Sequence, residues 1–316
     1  MDKIKLGISA CLLGEPVRYD GGHKRLAFLT DTLARHADYL PVCPEAGSGM
    51  GIPRPPIHLV GDARQPHALG LYDPGLDVTK RLERFAVETL PRLAGVSGYV
   101  FKKNSPSCGL RRVKLFAEPG HRARRVATGI FARFVGESLP LLPREEEDGL
   151  LDLSRRDNFL SRIYVYRRWQ EVLSRGLTIA GLNDFHIAHK YLVMAHSRAA
   201  CRRLEKLLAS LPHDRPEPVA DPYIQELMSA LRRPARRPGH YAVLRELADG
   251  VQHLSDRRER LTLARILSTY RDGRCERDEA IDILRHAIAR PGAPDWIARQ
   301  VYLHPYPDSL RQACFG

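Results

Sequence analysis

A chain of 316 residues, 43% hydrophobic and 28% charged, has room for two domains with cores of their own, and its composition excludes the disordered and fibrous classes. The net charge of +13 points to a polyanionic partner, and 22 Lys and Arg against 17 Asp and Glu up to residue 150, then 28 against 20 beyond it, put the positive excess on both halves. MDKIKLGISA lacks the apolar core of a signal peptide and no run of about 18 apolar residues follows, so a cytoplasmic protein with no membrane contact is expected, its six cysteines reduced.

In chain order, IKLGISA reads as a strand, RLAFLTDTLARHA as a helix, YLPV as a strand, VTKRLERFAVETLPRL as a helix and SGYVF as a strand, with a further strand or two in RRVATGIFARFV. This alternation predicts an α/β N-terminal domain, a mostly parallel sheet with covering helices. The acidic, proline-containing stretch GESLPLLPREEEDG (136–149) predicts the boundary, giving domains over 1–145 and 150–316. Beyond it the periodicity is helical and predicts an all-α C-terminal domain.

Within that second domain, NDFHIAHKYLVMAHSRAACRRLEKLLASL reads as one long helix capped by Asn183 or Asp184. Ile187, Tyr191, Met194, Cys201 and Leu208 form its apolar face, and His186, His189, Lys190, His196 and Ser197 cluster opposite, suited to RNA phosphates or to a neighbouring helix. LRRPARRPGHY (231–241) gathers Arg232, Arg233, Arg236 and Arg237 around two prolines, which predicts an exposed basic loop. With HRARR (121–125) and SRR (154–156) it makes a track for an RNA backbone. No obligate protein partner is evident, and Cys201, Cys275 and Cys314 suggest no chemistry.

Chemistry concentrates earlier. Cys11 follows LGIS, Cys43 follows LPV and Cys108 follows YVFKKNSPS, each just past a predicted strand. In an open parallel sheet such strand ends border the ligand crevice. Three thiolates converging there suit an iron–sulfur cluster or zinc, and a three-thiol site leaves one metal position open to substrate. Their neighbours are glycine-rich and polar. ISACLLGEPVRYDGGHK (8–24) carries Arg18, Tyr19, Asp20, His23 and Lys24, suited to an anionic ligand; CPEAGSGMGIPRPP sets Glu45 and Arg54 behind Cys43; KKNSPSCG sets Lys102, Lys103, Ser105 and Ser107 before Cys108.

SACLLGEPVRYDGGHK, CPEAGSGMGIPRPP and KNSPSCG resemble, in order, the three signature blocks of the TudS-type thiouracil desulfidase domain, over about residues 4–145. The second half, with DFHIAHKYLVMAHS, resembles the helical domain often fused behind it, and the pairing resembles RudS-type desulfidases, which remove sulfur from 4-thiouridine in tRNA. The resemblance implies a 4Fe-4S cluster held by Cys11, Cys43 and Cys108 with one iron open, and catalysis by Glu45 with Ser105 or Ser107. From their own glycine-rich and cationic blocks Arg18, Tyr19, Asp20, His23, Lys24 and Lys103 are expected around the substrate, and the chemistry of these residue types predicts hydrolysis of thiolated tRNA to uridine and sulfide without net redox change. Two other readings are the same chemistry on free thiouracil or a thiouridine nucleotide, and a non-enzymatic RNA-binding protein with a structural Cys-ligated metal.

Overall fold

The computed structural model describes residues 3–118, 125–212 and 215–315. The chain divides into two compact units, Met1–Phe159 with Ser309–Gly316, and Leu160–Asp308.

Among the described residues the first unit contains β1 (Ile4–Ser9), β2 (Ala37–Val42), β3 (Ile57–Gly61), β4 (Pro66–Gly70), β5 (Tyr99–Phe101), β6 (Val113–Phe116), β7 (Arg125–Ala127) and β8 (Arg144–Glu146). One sheet, ordered β2-β1-β5-β8, is wholly parallel, with Ser9 opposite Val42, Gly7 opposite Tyr99 and Phe101 opposite Glu146. The second, β4-β3-β6-β7, is parallel at its centre and antiparallel at both sides. With helices α1 (Pro44–Gly47), α2 (Thr79–Leu93) and α3 (Ile130–Ser138) this is the expected α/β class. Ile57, Leu59, Ala68, Val113 and Leu115 from the second sheet pack on Val78, Leu82 and Ile130 beside and within the helices.

Three local expectations are corrected. RLAFLTDTLARHA forms a wide π-helical turn at Phe28–Thr32 and then a 3-10 turn at Leu33–Arg35, because Asp31 turns its carboxylate to Thr30 and Arg25 in a stretch of weak helix formers. RRVATGIFARFV divides at Gly129 into β7 and α3. A side chain at Gly129 would come within 2.7 Å of the Ser107 backbone, so only glycine admits this contact. The acidic stretch 136–149 is no linker: it carries β8, Glu145 binds Arg155 at 2.7 Å, and the first unit runs on to Phe159.

The second unit is all-α, as expected. α4 (Leu153–Ser174) enters it from the first unit, and α5 (Ile179–His196), α6 (Arg198–Ala209), α7 (Glu217–Ala230), α8 (Arg237–Val251), α9 (Arg257–Arg271), α10 (Arg277–Ile288) and α11 (Asp295–Ala298) follow, before α12 (Asp308–Phe315) returns to the first unit. The long helix predicted after residue 183 is two helices. Thr178 caps α5 instead of Asn183 or Asp184, and the extended Ser197 separates α5 from α6, its hydroxyl accepting the Ala200 N–H at 3.1 Å. α5 is covered on most sides: Phe185, His186, His189 and Tyr191–Ala195 are buried, while Ile187 is exposed. No described helix is long and apolar enough to cross a membrane.

Candidate active site

The parallel sheet explains why three cysteines far apart in sequence meet. β2, β1 and β5 lie side by side and point the same way, so their C-terminal ends share one edge, and the chain reverses its direction of strand addition between β1 and β5. Cys11 lies in the 3-10 turn after β1, Cys43 begins α1 after β2, and Cys108 follows in the loop after β5. All three line one cavity of about 540 Å³. Burial, then the neighbouring Cys43, pushes the Cys11 thiol up to about 11, and the same two causes hold Cys108 well above the ordinary thiol value. Burial also raises Cys43.

The Cys108 loop is held from three sides. Its carbonyls at Pro106, Ser107 and Gly109 accept from Ile130, Ala132 and Gly129 at the start of α3. The Ser105 hydroxyl oxygen accepts the N–H groups of Ser107 and Cys108 at 3.2 and 3.1 Å. The Glu146 carboxylate accepts those of Leu110 and Arg111 at 2.9 and 3.1 Å, and Glu147 accepts the Lys103 N–H at 2.7 Å. The acidic run therefore orders the site.

Glu45, in the first turn of α1, lines the cavity beside Cys43. Ser107 donates to its Oε1 at 2.9 Å and Arg54 donates to its Oε2 at 2.9 Å, so one lone pair on each oxygen remains. Of the two candidate serines, Ser107 touches Glu45 while Ser105 shapes the loop. Arg54 is the residue whose role the sequence reading missed. Its side chain is 2% exposed and also donates to the carbonyls of Gly51 at 2.9 Å and Val17 at 2.8 Å, reaching Cys43 Sγ at 3.9 Å. It thereby fixes the loops of Cys11 and Cys43 and the carboxylate between them. Arg54→Lys keeps the charge but loses the planar fork; we expect it to destabilise the first unit by about 1–3 kcal/mol in urea unfolding followed by circular dichroism. An unchanged midpoint would count against the clamp.

Of the expected substrate residues, Arg18, Tyr19, Lys24 and Lys103 line the cavity. Asp20 and His23 turn inward on their own loop instead, Asp20 accepting the Gly22 N–H at 3.0 Å and His23 the Arg25 N–H at 3.3 Å. His58, Arg112, Lys114 and Phe116 line the cavity without having been expected. Arg112 holds a left-handed backbone at φ 54°, a conformation that costs a non-glycine residue about 1 kcal/mol or more.

The expected RNA face is corrected in part. His186 and His189 are 8% and 2% exposed, inside the helical unit, with His186 3.2 Å from the Tyr223 hydroxyl and His189 stacked on Phe185. Lys190 pairs with Glu205 at 2.9 Å. Arg232, Arg233 and Arg236 are exposed ahead of α8, whereas Arg237 opens that helix and is tied to the Tyr270 carbonyl at 2.7 Å. Arg155 and Arg156 are bound within the first unit by Glu145 and the Leu150 carbonyl. HRARR lies outside the described residues except for the backbone of Arg125.

Residues 6–147 match the family model for 2-thiouracil desulfurase. A solved structure, the [4Fe-4S]-dependent thiouracil desulfidase TudS, is 31% identical over 48% of this chain and 95% of its own, with a TM-score of 0.40. The N-terminal part of the chain belongs to the 2-thiouracil desulfurase family. The desulfurase domain is followed by a match at residues 190–307 to a protein family of unknown function, DUF1722. The uncharacterized protein YbgA of Escherichia coli (strain K12) is 27% identical over 153 residues, which is 48% of this chain and 89% of that protein.

Proposed function

We propose that the chain removes sulfur from 4-thiouridine in tRNA, giving uridine and sulfide by hydrolysis. The observation that carries this reading is one cavity lined by three thiols, by Glu45, which accepts from Ser107, and by cations without an ion-pair partner among the described residues. Among the described residues Lys24, Arg112 and Lys114 have no ion-pair partner, a rim suited to phosphates.

The residues fit an iron–sulfur cluster. Burial raises the proton affinity of all three thiols, and Cys43 adds to it at Cys11 and Cys108, so the three become thiolates together when a metal centre compensates the charge. Soft thiolate ligands suit an iron–sulfur cluster, the group on which the similar protein TudS depends. Cys11, Cys43 and Cys108 would hold it, and it would supply a Lewis-acidic position for the thiocarbonyl sulfur.

The remaining roles belong to the chain. Glu45 takes a proton from the attacking water, with Arg54 and Ser107 fixing the direction of its free lone pairs. Water replaces sulfur at the ring carbon; one of its protons passes through Glu45 to the departing sulfide, the other leaves the new carbonyl oxygen, so that hydrogen sulfide is the product and no electron is gained or lost. Lys24, Arg112 and Lys114 hold the flanking phosphates, and Arg232, Arg233 and Arg236 add exposed charge from the second unit.

The same cavity, large enough for a free pyrimidine, supports a second reading in which thiouracil or a thiouridine nucleotide is the substrate. Sulfide released from bulk thiolated tRNA by anaerobically reconstituted protein, and not by Cys43→Ala, is the expected result. Lys114→Ala should then lower the slope of log K against log salt for tRNA by about one. No sulfide from tRNA but turnover of free 2- or 4-thiouracil would replace the first reading with the second.

A further inference from the structure

β3 alternates between two environments. Ile57 and Leu59 face the core shared with α2 and α3, and His58 between them turns to the other side of the sheet, where it meets Phe116 of β6 edge-on at 5.1 Å. His58 is 7% exposed, and among the described residues neither ring nitrogen, both closed off from solvent, has a hydrogen-bond partner. A leucine or phenylalanine would fill this position without leaving a buried donor and acceptor unsatisfied. Burial keeps the imidazole neutral, so one nitrogen donates and the other accepts. His58 is also among the residues that line the cavity of Cys11, Cys43, Cys108 and Glu45.

We propose that His58, supported by Phe116, recognises the pyrimidine: a turn of the imidazole brings its unprotonated nitrogen to the cavity, where it accepts the N3–H of the thiolated base. This rests on the desulfidase reading and adds a criterion for which bases enter. Uracil-type rings carry the N3 proton and cytosine-type rings do not, so a single acceptor at this place separates them. Phe116 contributes an apolar surface that excludes water from the bond and favours an aromatic ring over an open-chain thioamide.

The test pairs a substrate change with a protein change. Sulfide release is followed for 4-thiouridine and 3-methyl-4-thiouridine with cluster-loaded wild type, His58→Phe and His58→Asn. Wild type should favour the unmethylated nucleoside by tenfold or more in kcat/KM, mainly through KM, since about 1.4 kcal/mol of hydrogen bonding corresponds to a factor of ten. His58→Phe should raise KM for 4-thiouridine about tenfold, change kcat by less than about threefold and lose most of the discrimination. His58→Asn, whose amide oxygen can accept, should recover part of it and serves if the phenylalanine variant does not fold. Wild-type discrimination in both variants would overturn the assignment while leaving the desulfidase reading intact. No sulfide from wild type with either nucleoside, with tRNA or with free thiouracils would overturn both.

Discussion

Replacing Glu45 with glutamine should lower kcat for sulfide release by about 10²–10⁴ while leaving KM within a few-fold, the loss typical of a removed general base. Glutamine retains an oxygen for the Ser107 hydroxyl, so the contact at 2.9 Å has a substitute, but it cannot take a proton from water. It also leaves Arg54, nearly closed off from solvent, without its counter-charge, so a melting curve must accompany the kinetics. Ser107→Ala should cost less, about tenfold, because it loosens the carboxylate without deleting it. A Glu45→Gln enzyme within threefold of wild type, stable and cluster-loaded, would remove Glu45 from water activation and require another base.

A second large effect is expected in the helical unit under acid. His189 is buried, stacked on Phe185 at 3.9 Å, and its Nδ1 donates to the Phe185 carbonyl at 2.6 Å, so the proton-accepting nitrogen is Nε2. Burial, reinforced by the nearby Arg168 guanidinium, lowers its pKa from 6.5 to about 3. The unfolded chain therefore binds one more proton than the folded one between those values. The stability gained from a neutral His189 is complete above about pH 6.5 and falls with pH by about 1.4 kcal/mol per unit, roughly 4–5 kcal/mol in all. Both tryptophans, Trp169 and Trp296, belong to this unit, so their fluorescence in urea reports it alone. His189→Leu should flatten the dependence between pH 6 and 4 by the equivalent of one proton. Parallel lines for the two proteins would show that His189 is not the acid-sensitive group.

What the sequence made legible follows from which physical signals are local. Three cysteines behind three β-rich segments, each in a glycine-rich block, already suggested one ligand crevice, because a parallel sheet aligns strand ends whatever the distance between them in the chain. The second sheet was missed because IHLVG and PHALG are five-residue segments without clear alternation, bordered by proline-rich sequence. Helical periodicity places His186 and His189 opposite the apolar stripe, on a face suited to RNA phosphates or to a neighbouring helix, and cannot choose between them. α5 is covered nearly all round, so its polar residues also had to be accommodated inside. The roles of Arg54, Glu146 and His58 depend on contacts between residues 9 to 58 positions apart, and no local pattern encodes them.

The course of the chain through α4 and α12 makes the desulfurase domain discontinuous. The helical unit is an insert within it, since Ser309–Gly316 rejoins the first unit, Leu310 is fully buried there and the Ser309 hydroxyl lies 3.3 Å from His36. A stop codon after residue 150 would therefore remove Phe159 as well as the returning helix and leave an open wound in the catalytic domain. Excision of 160–308 with a flexible tether between Phe159 and Ser309 is the graft that keeps the domain whole, and it also marks where a foreign RNA-binding module could be spliced in to redirect the chemistry.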